Sequence, residues 1–447
     1  MAATVLPAAY PDPESRSAKL YGRALRVLPG GNSRHTVFFP PYPIYAVRAE
    51  GAKVWDADGD SRIDLINNYS SLIHGHNHPK VVEAIIAQAK KLLSISLPTE
   101  EEVELAEIVT SRVPAVEQIR FCNSGTEGVM LAARAARAWT GRPKIAKVEG
   151  AYHGSSDTAA ISVAPSPDAW GDPDEPTSVA PPGVGPGAAA DVVVIPMNQV
   201  EATRKILRKH GSELAGVIID PLISSMGFVR ASDAFVKMLR EETRTCGALL
   251  IFDEVYSFRM GFHGAQGVLN VTPDLTAMGK IIGGGLPVGA VGGRADIMSA
   301  LFDPRQPARV SHGGTFNANP MTAAAGAAAM KLFDRTAFDR LSTLGERLRR
   351  GLCEAVDIAG VPGTVGGAAS MVSLFHMDAK VETYRDVVRA VRGNAQAQER
   401  AARFFRHMLN NGILMGAPGL FVLSTALTEA DIDFTIEKAL AGLRAME

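Results

Sequence analysis

The sequence predicts an α/β protein whose larger part is a doubly wound, mostly parallel sheet. Three observations lead there. "KIAKVEG", "VVVIP", "AGVIIDP" and "GALLIFDEV" are short runs, apolar almost throughout, with the texture of strands buried on both faces. Segments of helical period separate several of them, and such alternation marks a parallel sheet wound on both sides by helices. The chain has 447 residues, 46% of them hydrophobic and 21% charged, enough for two or three packed units with a sizeable core.

The elements follow in order. "GAKVWDADGDSRIDLI" (51–66) reads as a hairpin, two alternating runs joined at Asp58-Gly59. Helical periodicity predicts helices over 78–92 and 101–113, a short strand over 118–123, and an alanine-rich helix over 126–141 closed by Gly141. The four apolar strands come next. Between them, 164–190 ("APSPDAWGDPDEPTSVAPPGVGPGAAA") is dense in Pro and Gly; a loop this long is read either as a mobile lid over a site or as an idle surface loop. After Pro320 the texture changes to a long alanine-rich helix (321–334), further amphipathic helices and the short strands 371–377 and 419–425, so a second domain is expected to begin there. No internal repeat of fixed period is visible.

Composition excludes several classes of partner. Lys plus Arg number 46 against 47 Asp plus Glu, a net charge of −1, which offers no field for nucleic acid or an anionic membrane. No run approaches the roughly 20 apolar residues that span a bilayer. The opening residues lack the charged and apolar regions of a secretory signal, and Cys122, Cys246 and Cys353 are odd in number and without metal-binding spacing. The expectation is a cytoplasmic protein with reduced thiols and no metal site.

Chemistry concentrates where the buried strands end, because ligands of open α/β sheets sit at the carboxyl edge of the strands. "FCNSGTEG" (121–128) takes a strand through Ser124-Gly125-Thr126 into a helix, presenting amides and hydroxyls to an anion. Alone, the turn reads more readily as an ordinary helix cap. "EGAYHG" (149–154) sets Tyr152 and His153 after another strand, where a ring could cover a flat ligand. "LLIFDEV" (249–255) ends in Asp253 and Glu254, each either a satisfied cap or the partner of a buried cation. "DLTAMGKIIGGGLPVGAVGG" (274–293) places Lys280 between an apolar run and a glycine-rich turn. Desolvation there favours the neutral amine, which can form a Schiff base, and the glycines let a ring approach. An anion cradle, an aromatic stacker, a strand-end aspartate and this lysine are the contacts that pyridoxal 5'-phosphate needs. In that reading Ser124, Gly125 and Thr126 hold the phosphate, Tyr152 stacks, Asp253 keeps the pyridine nitrogen protonated, and Lys280 is both covalent partner and proton shuttle.

"NSGTE", "YHG", "IFDEV", "PDLTAMGKIIGGGLPVGAVGGR" and "HGGTFNANP" together resemble the class III (ω) aminotransferases, pyridoxal phosphate enzymes of fold type I, in the branch that contains glutamate-1-semialdehyde aminomutase. The likeness runs from about residue 26 to 433. It implies a large sheet domain at 73–320 and a smaller α+β domain built from both chain ends, 1–72 and 321–447. It also implies that His153 and Val255 belong to the cofactor site, and that the protein is a homodimer in which Thr315 reaches the cofactor phosphate of the neighbouring subunit.

Departures from the aminomutase pattern bear on substrate. Tyr69 stands where the aminomutase has a tryptophan, Asp220-Pro221 replaces the usual Glu-Pro, and Ser225 replaces an asparagine, which marks Tyr69 and Ser225 as substrate-side candidates. The loop "MGAPGLFVLS" (415–424) holds no acidic residue, where the aminomutase has a glutamate. "PGGNSRHTVF" (29–38) instead resembles β-amino acid aminotransferases, in which the matching arginine binds the substrate carboxylate; Arg34 takes that place. Those enzymes often carry a second arginine in the C-terminal loop, and the corresponding position here is Pro418. The expected activity is transfer of an amino group between a carboxylate-bearing amine, such as a β-amino acid, and a keto acid. The alternatives are an isomerase, either an aminomutase or a racemase, and a non-catalytic cofactor carrier, against which intact Lys280 and Asp253 speak.

Overall fold

A computed structural model describes Pro7 and residues 9–446 apart from 308 and 418. Three strands near the start, β1 (Ala46–Glu50), β2 (Lys53–Asp56) and β3 (Ser61–Asp64), form an antiparallel ribbon whose second turn is the expected Asp58-Gly59 hairpin. Next along the chain come β4 (Gln118–Cys122), β5 (Lys144–Val148), β6 (Val192–Ile195) and β7 (Leu214–Ile219). A two-stranded ribbon follows, β8 (Leu222–Ile223) with β9 (Val229–Arg230), and then β10 (Leu249–Asp253), β11 (Leu275–Gly279) and β12 (Gly289–Gly293).

Seven of these strands make the central sheet, in the order β4-β12-β11-β10-β7-β5-β6. Every pairing in it is parallel except those of β12, which runs against both neighbours. Sequence periodicity could not reveal that reversal, since a buried strand is apolar throughout whichever way it runs. Its effect on function is direct. Six strands deliver their carboxyl ends to one edge, and β12 brings its beginning to the same edge. The segments that follow β4, β5, β7, β10 and β11 therefore converge there with the residues just before Gly289.

The C-terminal part adds β13 (Thr364–Ala368), β14 (Met371–Phe375), β15 (Ile413–Leu414) and β16 (Leu420–Val422). β13, β14 and β16 form an antiparallel sheet packed against the helix Arg335–Ala359, whereas β15 crosses back to pair in parallel with β3. The two ends of the chain thus share one small sheet. Helices fall close to their expected places, at Pro79–Lys91, Glu100–Arg112, Gly125–Thr140 and Pro320–Leu332.

The Pro- and Gly-rich segment 164–190 does not fulfil the reading as a lid. None of its residues lines the cleft described below. It is stapled to the far edge of the sheet: Arg385 donates to the carbonyls of Trp170, Gly171 and Asp172 at 2.6–3.0 Å, and its guanidinium lies 4.9 Å from the Trp170 ring centre. Arg385 is itself paired with buried Glu149 at 2.9 Å. Such fully partnered carbonyls anchor a loop, and composition alone does not disclose the arginine that holds them.

Candidate active site

A cleft of about 390 Å³ opens at the converged strand ends, lined by Ser124, Gly125, Thr126, Tyr152, His153, Asp253, Val255 and Lys280 among others. All eight were singled out in the sequence.

The anion cradle forms as the chain leaves β4. Ser124 caps the helix Gly125–Thr140, its hydroxyl accepting the Glu127 N–H at 3.2 Å. Gly125 and Thr126 occupy the first two helical positions, whose N–H groups have no preceding turn to bond. They can donate to an anion, and the helix dipole favours one there. Close approach requires glycine twice: a Cβ on Gly125 would lie 2.8 Å from the Val255 side chain, and one on Gly289 would overlap the Ser124 carbonyl.

Asp253 ends β10, buried, and accepts from Val255 N at 3.0 Å and from His153 Nδ1 at 2.8 Å. His153 therefore lies behind Asp253 and orients it. Its Nε2 is buried with no hydrogen-bond partner among the described residues. Glu254, the other acidic residue of "LLIFDEV", proves to be a cap: it accepts from the amides of Ala265 and Gln266 and the Gln266 side chain, and burial pushes its pKa up to about 7.

Lys280 follows β11 directly and adopts φ +50°. Desolvation lowers its pKa, against the opposing pull of Asp253 and Asp220. Asp220, at the end of β7, is held well above the ordinary carboxylate range by burial and by the neighbouring Asp253 charge. Tyr152 stands at the cleft mouth, 54% exposed and so free to cover a ligand, with its N–H on Ser225 Oγ at 3.3 Å.

Ser225 does not line the cleft; its hydroxyl donates to the Gly150 carbonyl at 2.8 Å, beneath Tyr152, while Ser224 reaches the surface of the cleft. Arg34 does line it, donating from Nη1 to Asn68 Oδ1 at 2.8 Å. Tyr69 lies one step away, its hydroxyl donating to the Thr36 carbonyl. It lines an adjoining chamber of about 570 Å³ walled by Phe38, Phe39, Trp55, Phe405 and Met415, which shares Arg34 and Asn68 with the cleft. Thr315 is exposed on a turn outside the cleft, next to Phe316, which is 58% exposed; the same turn is tied inward by Asn317, which accepts from Asn123 at 2.8 Å. Pro418 lies outside the described residues.

Sequence reasoning missed several members of the site, Ser71 and Ser224 among them. Asn123 and Tyr256 line the cleft, each adjacent to a residue that was named. Asn68 belongs to a turn, Asn67–Ser70, in which four successive residues have positive φ of 48°, 47°, 53° and 78°. The Asn-Asn pair was the available signal, since asparagine tolerates that region best among residues with a Cβ.

The family description "Aminotransferase class-III" matches residues 37–439. The chain belongs to the class III aminotransferases. Glutamate-1-semialdehyde 2,1-aminomutase 2 of Bacillus pumilus is 40% identical over 94% of this chain and 96% of its own. An omega-transaminase from Sphaerobacter thermophilus superposes with a TM-score of 0.94 at 45% identity, covering 98% of this chain and 99% of its own. A β-phenylalanine aminotransferase from Variovorax paradoxus does so with a TM-score of 0.85 at 35% identity, covering 96% and 93%.

This aminotransferase is therefore a pyridoxal phosphate enzyme, as are its relatives. The cleft fits the cofactor on its own chemistry: a helix N-terminus for a phosphate, glycines that let the segments of that cradle pack closely, a buried carboxylate with an orienting histidine, and a desolvated lysine. No helix among the described residues is long and apolar enough to cross a membrane.

Proposed function

We propose that this class III aminotransferase moves an amino group between a carboxylate-bearing amine, of the β-amino acid class, and a keto acid. The observation that carries the reading is the place of Arg34. It stands at the border between the polar cleft that holds Lys280 and the apolar chamber walled by Phe38, Trp55 and Phe405. A substrate with a carboxylate on Arg34 and an apolar substituent in that chamber matches the chemistry of both. The relative named β-phenylalanine aminotransferase supports it.

Bound in the cleft, pyridoxal phosphate supplies an aldehyde that condenses with amines and a ring that accepts the electrons left on carbon. Ser124, Gly125 and Thr126 would hold the phosphate, and Tyr152 and Val255 would cover the ring. Asp253, oriented by His153, would accept the N–H of a pyridinium ring and so keep that proton in place. Lys280 Nζ, its pKa lowered by desolvation, would take the proton from the reacting carbon and later return one. Arg34 sets the direction from which the substrate enters, which decides which C–H bond faces Lys280.

The protein works as a homodimer in the cytoplasm. Leu93, Ile95, Leu97 and Phe316 are large apolar side chains left exposed, and exposed Thr315 is next to the last of them, which supports the reading. The thiols of Cys122, Cys246 and Cys353 are unpaired.

A single half-reaction tests the activity. The holoenzyme, mixed with a β-amino acid and no acceptor, should lose the yellow absorption of its cofactor and release one equivalent of carbonyl product. The aminomutase reading, favoured by the name of the 40% identical Bacillus pumilus relative, predicts isomerisation that retains the nitrogen, with no deaminated product and no need of an acceptor.

A further inference from the structure

Lys280 does not point into an empty cleft. Its Nζ lies over the ring of Tyr256, 4.1 Å from the centroid. Tyr256 follows Val255 on the turn that leaves β10, lines the cleft, and is steadied by the Phe228 ring at 6.0 Å between centroids. Burial pushes its hydroxyl pKa far above the phenol range, so the ring is neutral and its face electron-rich at any working pH.

A lysine that shuttles protons has two opposed requirements. It must be neutral to attack an aldehyde or to take a proton, and it must carry that proton without being lost to a permanent ion pair. Desolvation serves the first. For the second, Asp253 is already engaged by Val255 N–H and His153, and a direct salt bridge to it or to Asp220 would trap the ammonium. An aromatic face attracts a cation yet accepts no proton, so it stabilises the charged form modestly and reversibly.

We propose that Tyr256 is the resting place of the Lys280 ammonium, a positioning residue that holds the freed side chain over its ring between proton transfers. The proposal rests on the reading of Lys280 as the lysine that binds the cofactor. The charged and titratable groups around the pair are Asp253 and Asp220 facing Lys280, Tyr69, Arg259 and Asp220 facing Tyr256, His153 behind Asp253, and Arg34 across the cleft.

The test reads the lysine's protonation without catalysis. Full-length protein freed of cofactor is mixed with pyridoxal phosphate, and the rate at which the yellow absorption appears is followed against pH. Condensation joins the lysine nitrogen to the aldehyde carbon and releases water, and only the neutral amine does so; the midpoint of the profile therefore reports the lysine. Removing the ring face with Tyr256→Leu withdraws support from the ammonium, so the midpoint should move to lower pH, by about 0.4 to 1.5 units. Tyr256→Phe should keep the wild-type profile. Progressively fluorinated phenylalanines at this position retain the shape while draining the ring face, and should shift the midpoint in graded steps. An unmoved midpoint in Tyr256→Leu overturns the proposal, as does a Phe variant that shifts as far as Leu. Should Tyr256→Leu fail to fold, an ungraded fluorination series has the same force. Borohydride reduction followed by peptide mapping separates the two readings: label on Lys280 with no midpoint shift defeats Tyr256 alone, while label on another lysine removes both.

Discussion

Replacing Arg34 with alanine is the perturbation that bears hardest on the substrate assignment. A guanidinium can grip a carboxylate with two parallel N–H···O bonds, and hydrogen bonds to charged groups contribute about 1.5–3 kcal/mol, equivalent to about 10- to 150-fold in kcat/KM. The structure moves the expectation toward the low end. Arg34 is exposed and already donates to Asn68 at 2.8 Å, a bond it exchanges for the substrate and that is worth about 1 kcal/mol net. Arg34→Ala should therefore lower kcat/KM by about 2- to 30-fold for carboxylate-bearing donors and leave simple amines nearly unaffected. The assay is single-turnover loss of the yellow absorption with a donor, and its regain with a keto acid. Arg34 and Lys280 are the Arg and Lys side chains among the described residues lining the cleft, so within one chain Arg34 is the cation for the keto acid carboxylate, and both half-reactions should fall together. A loss confined to the donor half refutes the shared role. Wild-type values in both halves refute the assignment of Arg34 and remove the main support for a β-amino acid substrate.

Further expectations concern the cofactor and the core. Lys280→Ala should abolish the yellow absorption and lower turnover by about 100-fold or more, with the fold intact by circular dichroism; a yellow, active variant would contradict the role given to Lys280. Asp253→Ala should slow single-turnover proton abstraction by about 100- to 1,000-fold while cofactor affinity, measured by fluorescence titration, changes far less. His376 is 3% exposed with neither ring nitrogen partnered among the described residues, and burial lowers its pKa to about 4. Below the unfolded value of 6.5 the unfolded chain binds the proton more readily, so stability present at neutral pH drains away as pH falls toward 4. At pH 5 that is about 2 kcal/mol, which His376→Phe should largely restore in denaturant titrations at pH 5 relative to pH 7. Equal acid sensitivity in both proteins would locate the loss elsewhere.

Much of the site was legible because its residues fall just after apolar runs, and in a parallel sheet that position in sequence is also a position in space. Ser124, Tyr152, Asp253 and Lys280 lie far apart along the chain, yet each ends or follows a strand of one sheet, so a local pattern was enough to gather them at one edge. The helix cap at Ser124, the hairpin at Asp58-Gly59 and the helices at 79–91 and 100–112 were readable for the same reason: short-range steric and hydrogen-bonding preferences decide them.

What the tertiary structure alone decided depends on contacts between segments distant in sequence. The reversed β12 looks like any other buried strand until its neighbours are known. The 164–190 segment has the composition of a lid and the position of a staple, because Arg385, some two hundred residues later, satisfies its carbonyls. Asp253 and Glu254 are adjacent acids, and only their partners, His153 for one and the Ala265-Gln266 turn for the other, separate a cleft residue from a cap. Sequence determined which chemical groups the protein owns and on which strand ends they stand; packing determined which of them face each other, because a buried polar atom takes its role from the partner that satisfies it.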